Sequence, residues 1–81
     1  MIEILFFGRL GDASETLRLD LPDGVGDTDT LTTWLSEQNS ALGVELKKAG
    51  NRIVVNKAII SENTAIKTGD EIAYMSPLSG G

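Results

Sequence analysis

One stretch of this chain has a strong helical period, and it is embedded in short runs with the period of strands. Leu31, Trp34 and Leu35 sit at i, i+3, i+4 spacing, the signature of a helix with one apolar face. Residues 2–8 and 16–21 instead alternate, with Ile2, Ile4 and Phe6 against Leu5 and Phe7, and Leu17, Leu19 and Leu21 against Thr16, Arg18 and Asp20. A single principal helix covers only one face of a sheet. The pattern therefore predicts an α+β domain in which a mixed sheet of four to five strands packs on one main helix.

The punctuation between these runs sets the expected elements. Gly11-Asp12 is a turn-forming pair, so the first two strands are expected to form a hairpin across residues 8–15, ended by Pro22-Asp23-Gly24. Asp27, Thr28 and Asp29 are candidate N-caps for a helix over residues 28–38, stopping near Asn39. Residues 41–49 read as a second, shorter helical or irregular stretch with Leu42 and Leu46 on one side. Gly50-Asn51 turns into a third strand over 52–56, centred on Ile53-Val54-Val55, and Ile59-Ile60 marks a very short fourth. Thr68-Gly69-Asp70 is a further turn, 71–75 the last strand, and Ser76-Pro77 its breaker. Leu31, Trp34 and Leu35 are expected to pack on Ile2, Ile4, Phe6, Leu17, Leu19, Val54 and Ile72. Leu5, Phe7 and Met75 then face the other way, and an apolar patch on an open sheet face marks an interaction site unless a loop or the 41–49 stretch covers it.

Composition narrows the chemistry. With neither cysteine nor histidine in 81 residues, the chain has no thiolate, no disulfide and no Ser–His or Cys–His pair. A net charge of −5, with 7 basic against 12 acidic residues, lacks the Lys/Arg stripe that nucleic-acid binding requires, and suits a partner with a basic docking surface. No run approaches the ~20 apolar residues of a membrane span, and Met1-Ile2-Glu3-Ile4 lacks a basic leader start, so the cytoplasm is the expected compartment. Asp27 and Asp29 are read as helix-capping groups and not as metal ligands, so no metal is expected. Gly24-Val25-Gly26 is too short for a phosphate loop, Lys47-Lys48 a solvated edge, and Trp34 core. What remains is the end of the chain: Gly80-Gly81 offers a terminal carboxylate on a tail without side chains, fit to enter another protein's active site and be modified there.

Three sets of residues carry a resemblance: Ile4-Leu5-Phe6-Phe7, Val54-Val55-Asn56, and Gly69-Asp70-Glu71-Ile72-Ala73-Tyr74 followed by Pro77-Leu78-Ser79-Gly80-Gly81. Together they resemble the small subunit of molybdopterin synthase, a β-grasp, ubiquitin-like sulfur carrier, over the whole chain. The chain departs from that pattern at Ser76, where a proline is common, at Leu78, where valine is, and at Thr28, where the helix often begins with an apolar residue.

The resemblance implies a β-grasp domain over 1–75 and a flexible tail over 76–81. It implies that an E1-like enzyme uses ATP to adenylate the Gly81 carboxylate, after which a sulfur donor protein's sulfur displaces AMP to leave a thiocarboxylate on Gly81. That group gives its sulfur to a cyclic pterin precursor in the large subunit, within a heterotetramer, and two transfers build the dithiolene of molybdopterin. The chain itself holds no cofactor and contributes a non-catalytic, sulfur-donating subunit. Glycine suits the end of such a tail because it has no Cβ. The six residues 76–81 span roughly 20 Å when extended, with Pro77 stiffening the base and Leu78, Ser79 and Gly80 entering the partner. Phe7, Ile59 and Met75 are the implied docking residues, although alternation alone leaves open whether Ile59 or Ile60 is core. Sulfur carriers for thiamine or tRNA thiolation, a ubiquitin-like modifier conjugated through Gly81, and a plain binding module are the competing readings.

Overall fold

The computed structural model describes residues 1–77. Its elements run β1 (Ile2–Phe7), α1 (Arg9–Ala13), β2 (Leu17–Leu19), α2 (Thr28–Gln38), α3 (Ser40–Leu46), β3 (Arg52–Val55), β4 (Ala58–Ile60) and β5 (Glu71–Met75). The five strands form one sheet in the order β2-β1-β5-β3-β4. β1 and β5 are parallel at its centre, and every other pairing is antiparallel. The mixed sheet on a principal helix is therefore as the apolar periods predict.

One face of the sheet carries the core. Ile2, Ile4 and Phe6 of β1, Ile72 and Tyr74 of β5, and Val55 of β3 are buried together with Leu31 and Leu35 of α2 and Leu42 of α3. Phe6 and Tyr74, paired in the parallel register, stack with ring centroids 5.7 Å apart, a favoured aromatic geometry. The Tyr74 hydroxyl meets Thr32 Oγ1 at 2.8 Å, so the core's one phenol is not left without a partner. Trp34 lies at the edge of this core, half-buried beside Leu17 and Leu19.

α2 starts where its cap chemistry places it. Asp27 accepts from Thr30 N–H at 2.8 Å and Thr30 Oγ1 reaches back to the cap's own N–H, a reciprocal capping box. Thr28 is buried, and its hydroxyl donates to Asn63 Oδ1 and accepts from Thr64 N–H. A polar residue thus occupies this anchoring position with its hydrogen bonds satisfied. Asn39 breaks the helix and caps α3 through Leu42 N–H, while its amide donates to the Ala13 carbonyl at the end of α1.

Two expectations are corrected. β1 and β2 do pair antiparallel, but no tight turn joins them: α1 occupies the link, with Gly11-Asp12 inside it. Leu10 is the reason, since it is fully buried and a helical turn is what brings it down into the core from an otherwise polar segment. Val54 does not face α2. Its neighbours Ile53 and Val55 do, because β3 pairs Ile53 with Tyr74 and Val55 with Ile72. Residues 41–49 resolve into α3, which packs on α2 and α1 and so lies on the helical side of the sheet.

Candidate docking face and the base of the C-terminal arm

The strand registers place a second set of apolar side chains on the face opposite the helices. Ile59, Val54, Ala73 and Leu5 are consecutive partners across β4, β3, β5 and β1, forming one apolar row over four strands. Next to it, Phe7 pairs with Met75, which pairs with Arg52. Phe7 is 47% exposed, Met75 37% and Ile59 71%, an accessibility that single core residues do not have and that marks a recognition surface when such residues adjoin. The row's other flank is charged: Glu3 and Glu71 are partners there, and Arg18 meets Glu3 at 2.7 Å. Apolar centre and charged margin together give the usual anatomy of a protein–protein interface.

Ile59 reaches this face because of the β3–β4 turn. Asn56 and Lys57 both take positive φ, 49° and 72°, the twist of a two-residue hairpin, and this sets Ile59 opposite Val54 and Ile60 opposite Ile53. Ile60 then packs on the core, which resolves the choice that alternation left open. The turn is itself pinned. Buried Asp70 accepts from Asn56 Nδ2 at 2.9 Å and from Lys67 N–H at 2.8 Å, and Asn56 Oδ1 accepts from Glu71 N–H. The Asn56 and Lys67 hydrogen bonds hold the Asp70 carboxyl below its ordinary pKa.

Residues 76 and 77, the last described, lie beside the same face. Met75 is the last residue of β5, and the next residue, Ser76, donates its N–H to the Phe7 carbonyl at 3.3 Å. Its hydroxyl accepts from Arg9 N–H at 2.9 Å and lies 3.3 Å from the Phe7 carbonyl. Among the described residues no group of three or more acidic side chains is placed to hold a metal ion, and no helix is long and apolar enough to cross a membrane.

The ThiS family profile matches residues 4–81. The chain belongs to the ThiS family. Relatives in Haemophilus influenzae and Escherichia coli K12, each named molybdopterin synthase sulfur carrier subunit, are 25% and 24% identical to it over 81 residues, 100% of both chains in each case. A chain of the Helicobacter pylori 26695 complex of subunits 1 and 2 of molybdopterin-converting factor superposes with a TM-score of 0.68, at 27% identity, covering 99% of this chain and 97% of that one. SAMP1 from Haloferax volcanii superposes with a TM-score of 0.76 at 26% identity, covering 99% and 98%. The ubiquitin-like β-grasp fold is thereby established.

Within this ThiS-family fold, the residues implied as docking groups come together: Phe7 and Met75 are direct partners and Ile59 shares their face. Pro77 is at the base of the arm. Leu78, Ser79, Gly80 and Gly81 lie outside the described residues. Sequence reasoning missed Val54 and Ala73 as members of the row, and missed the grip on Ser76. For Val54 the signal was there in principle: once Ile59 faces outward, the two-residue turn puts Val54 beside it.

Proposed function

We propose that this chain is a sulfur carrier that acts as the small subunit of molybdopterin synthase. The observation that supports it best is the junction at Met75, where an exposed apolar face and the root of a Gly-Gly-ended arm meet. A partner docked on Phe7, Met75 and Ile59 holds the arm's origin at its own surface, within the ~20 Å reach of residues 76–81. Relatives aligned over their whole length carry the sulfur-carrier name, and a structural neighbour was solved as a two-subunit complex.

In this reading the Gly81 carboxylate attacks the α-phosphorus of ATP in an E1-like enzyme, releasing pyrophosphate and forming an acyl adenylate. A carboxylate is a poor acyl donor, and AMP supplies the leaving group. A donor protein's persulfide displaces AMP at the Gly81 acyl carbon to give an acyl disulfide, and a thiol reduces its S–S bond to release the thiocarboxylate. The large subunit then receives the arm, the thiocarboxylate sulfur bonds to a carbon of a cyclic pterin precursor, and water cleaves the Gly81 C–S bond to return the carboxylate. The reaction consumes the thiocarboxylate, while the catalytic side chains belong to the partners, in keeping with a chain that has neither cysteine nor histidine. The acidic net charge of −5 favours encounter with a basic docking surface, and the cytoplasm is the compartment of the reaction.

Intact-protein mass spectrometry after incubation with ATP, an E1-like enzyme and a sulfur donor tests this. The expected result is one oxygen-for-sulfur exchange, mapped to Gly81 and absent when Gly81 is deleted. An unchanged mass, with the enzyme active on a control carrier, rejects it; an isopeptide adduct to other proteins points instead to a modifier.

A further inference from the structure

Two glycines from separate loops stand against the first two residues of the arm. Gly8, at φ +70°, precedes α1; a Cβ there would fall 1.9 Å from Ser76 Oγ. Gly50, at φ +90°, precedes β3; a Cβ there would fall 2.8 Å from Pro77 Cγ. Real Cβ atoms do not approach this closely, so each glycine leaves the space that an arm residue fills. Both also hold left-handed backbone, which glycine adopts without penalty.

The seat is bonded as well as shaped. Ser76 N–H carries the β1–β5 pairing one residue past the strand, to the Phe7 carbonyl. Ser76 Oγ accepts from Arg9 N–H, one of the donors that the first turn of α1 cannot satisfy internally, and no side chain at the helix's own N-cap serves it. The hydroxyl therefore does in space what a cap residue does in sequence, and ties the arm to α1 and β1 at once. A proline at this position has neither the N–H nor the hydroxyl to make these bonds.

We propose that Ser76 and Pro77, seated between Gly8 and Gly50, fix the direction in which the chain leaves the sheet, making Ser76, Gly8 and Gly50 positioning residues for the reaction at Gly81. This rests on the sulfur-carrier reading. A pre-aimed root spares the partner from ordering it. Freeing one residue's backbone weakens productive docking about five- to thirty-fold. Because that ordering is needed equally for bound substrate and transition state, the effect falls on KM and leaves kcat in place.

The test uses the full chain with E1-like enzyme, ATP and sulfur donor, following oxygen-for-sulfur exchange on Gly81 together with amide relaxation at residue 76. Ser76→Ala is expected to raise KM about five- to thirty-fold with kcat unchanged, and to lower the order parameter at residue 76 from about 0.85 to below about 0.6. Gly8→Ala, which drives Ser76 out, gives the same KM rise. In the Ser76→Ala background the clash with Oγ is gone and only the backbone strain at φ +70° and the 3.3 Å approach to the residue-76 Cβ remain, so the added rise is smaller than in the unaltered chain; that partial non-additivity is the mark of direct contact. Gly50→Ala probes the opposite wall through Pro77 and raises KM independently. Exchange on the unaltered chain with KM unmoved in Ser76→Ala and Gly50→Ala overturns the seat and leaves the sulfur carrier standing. Additive Gly8→Ala and Ser76→Ala effects overturn it too. Absence of exchange on the unaltered chain overturns the sulfur-carrier reading itself, and with it the role given to the seat.

Discussion

The two faces of the central strands both carry apolar side chains, the outward one beside a charged flank of Glu3 and Glu71, and end up in opposite environments. On β1 and β5, Ile4, Phe6, Ile72 and Tyr74 are sealed under α2 and α3. The residues between them, Leu5, Phe7, Ala73 and Met75, face away, with Phe7 and Met75 in solvent. Among the described residues, helices cover one face only. In the proposed reading, the open face is the one on which a partner docks. Folding free energy is concentrated on the first face, and the proposal puts recognition on the second.

The comparison breaks most visibly if the faces respond alike to mutation. Ile72→Ala on the closed face removes a fully buried side chain and is expected to cost about 2–5 kcal/mol, lowering the melting temperature by about 4–8 °C per kcal/mol in a domain of this size; calorimetry reads it directly. Phe7→Glu on the open face is expected to leave stability within about 0.5 kcal/mol yet weaken binding to the large subunit at least about tenfold, as measured by titration calorimetry. Unfolding by Phe7→Glu would mean that the second face also carries the fold.

A smaller effect sharpens the contrast through titration. Tyr74 is the only tyrosine, and burial pushes its hydroxyl up to about 12, against a partial opposing effect of the Thr32 hydrogen bond. The phenolate absorbance band should therefore appear near pH 12 in the folded protein and near 10 after denaturation. Between those values the folded state keeps a proton that the unfolded state has lost, so stability declines as pH rises. A normal midpoint in the folded state would show the closed face to be wet.

The acid side has the opposite sign. Asp70 is held below its ordinary value by Asn56 and Lys67, so its stabilisation is complete above the unfolded carboxylate pKa of about 4. It is lost as pH falls through that value toward the lower folded one. Asp70→Asn should flatten this acid limb in pH-dependent thermal melts, and an unchanged limb would place the loss elsewhere.

Legibility followed the range of the interactions. The α2 helix was readable because its stripe, Leu31, Trp34 and Leu35, and its cap at Asp27 are local signals. β5 was readable from its flanking Gly69-Asp70 turn and the break at Ser76-Pro77. The α1 helix was not: five residues with one buried leucine are shorter than any periodicity, and Gly11-Asp12 has the composition of a turn. Ile53-Val54-Val55 is apolar at every position, so alternation is silent and only pairing with β5 selects which residues turn inward.

By itself the sequence determined what local chemistry determines: one principal helix set among short strands, and a chain without thiol or imidazole. Tertiary structure alone decided the frame of β3, the outward turn of Ile59, and the grip of Gly8 and Arg9 on Ser76, a residue 67 positions from Arg9 in the chain. These depend on partners distant in sequence, and a side chain's period records which way it points along its own strand but not which neighbour will meet it there.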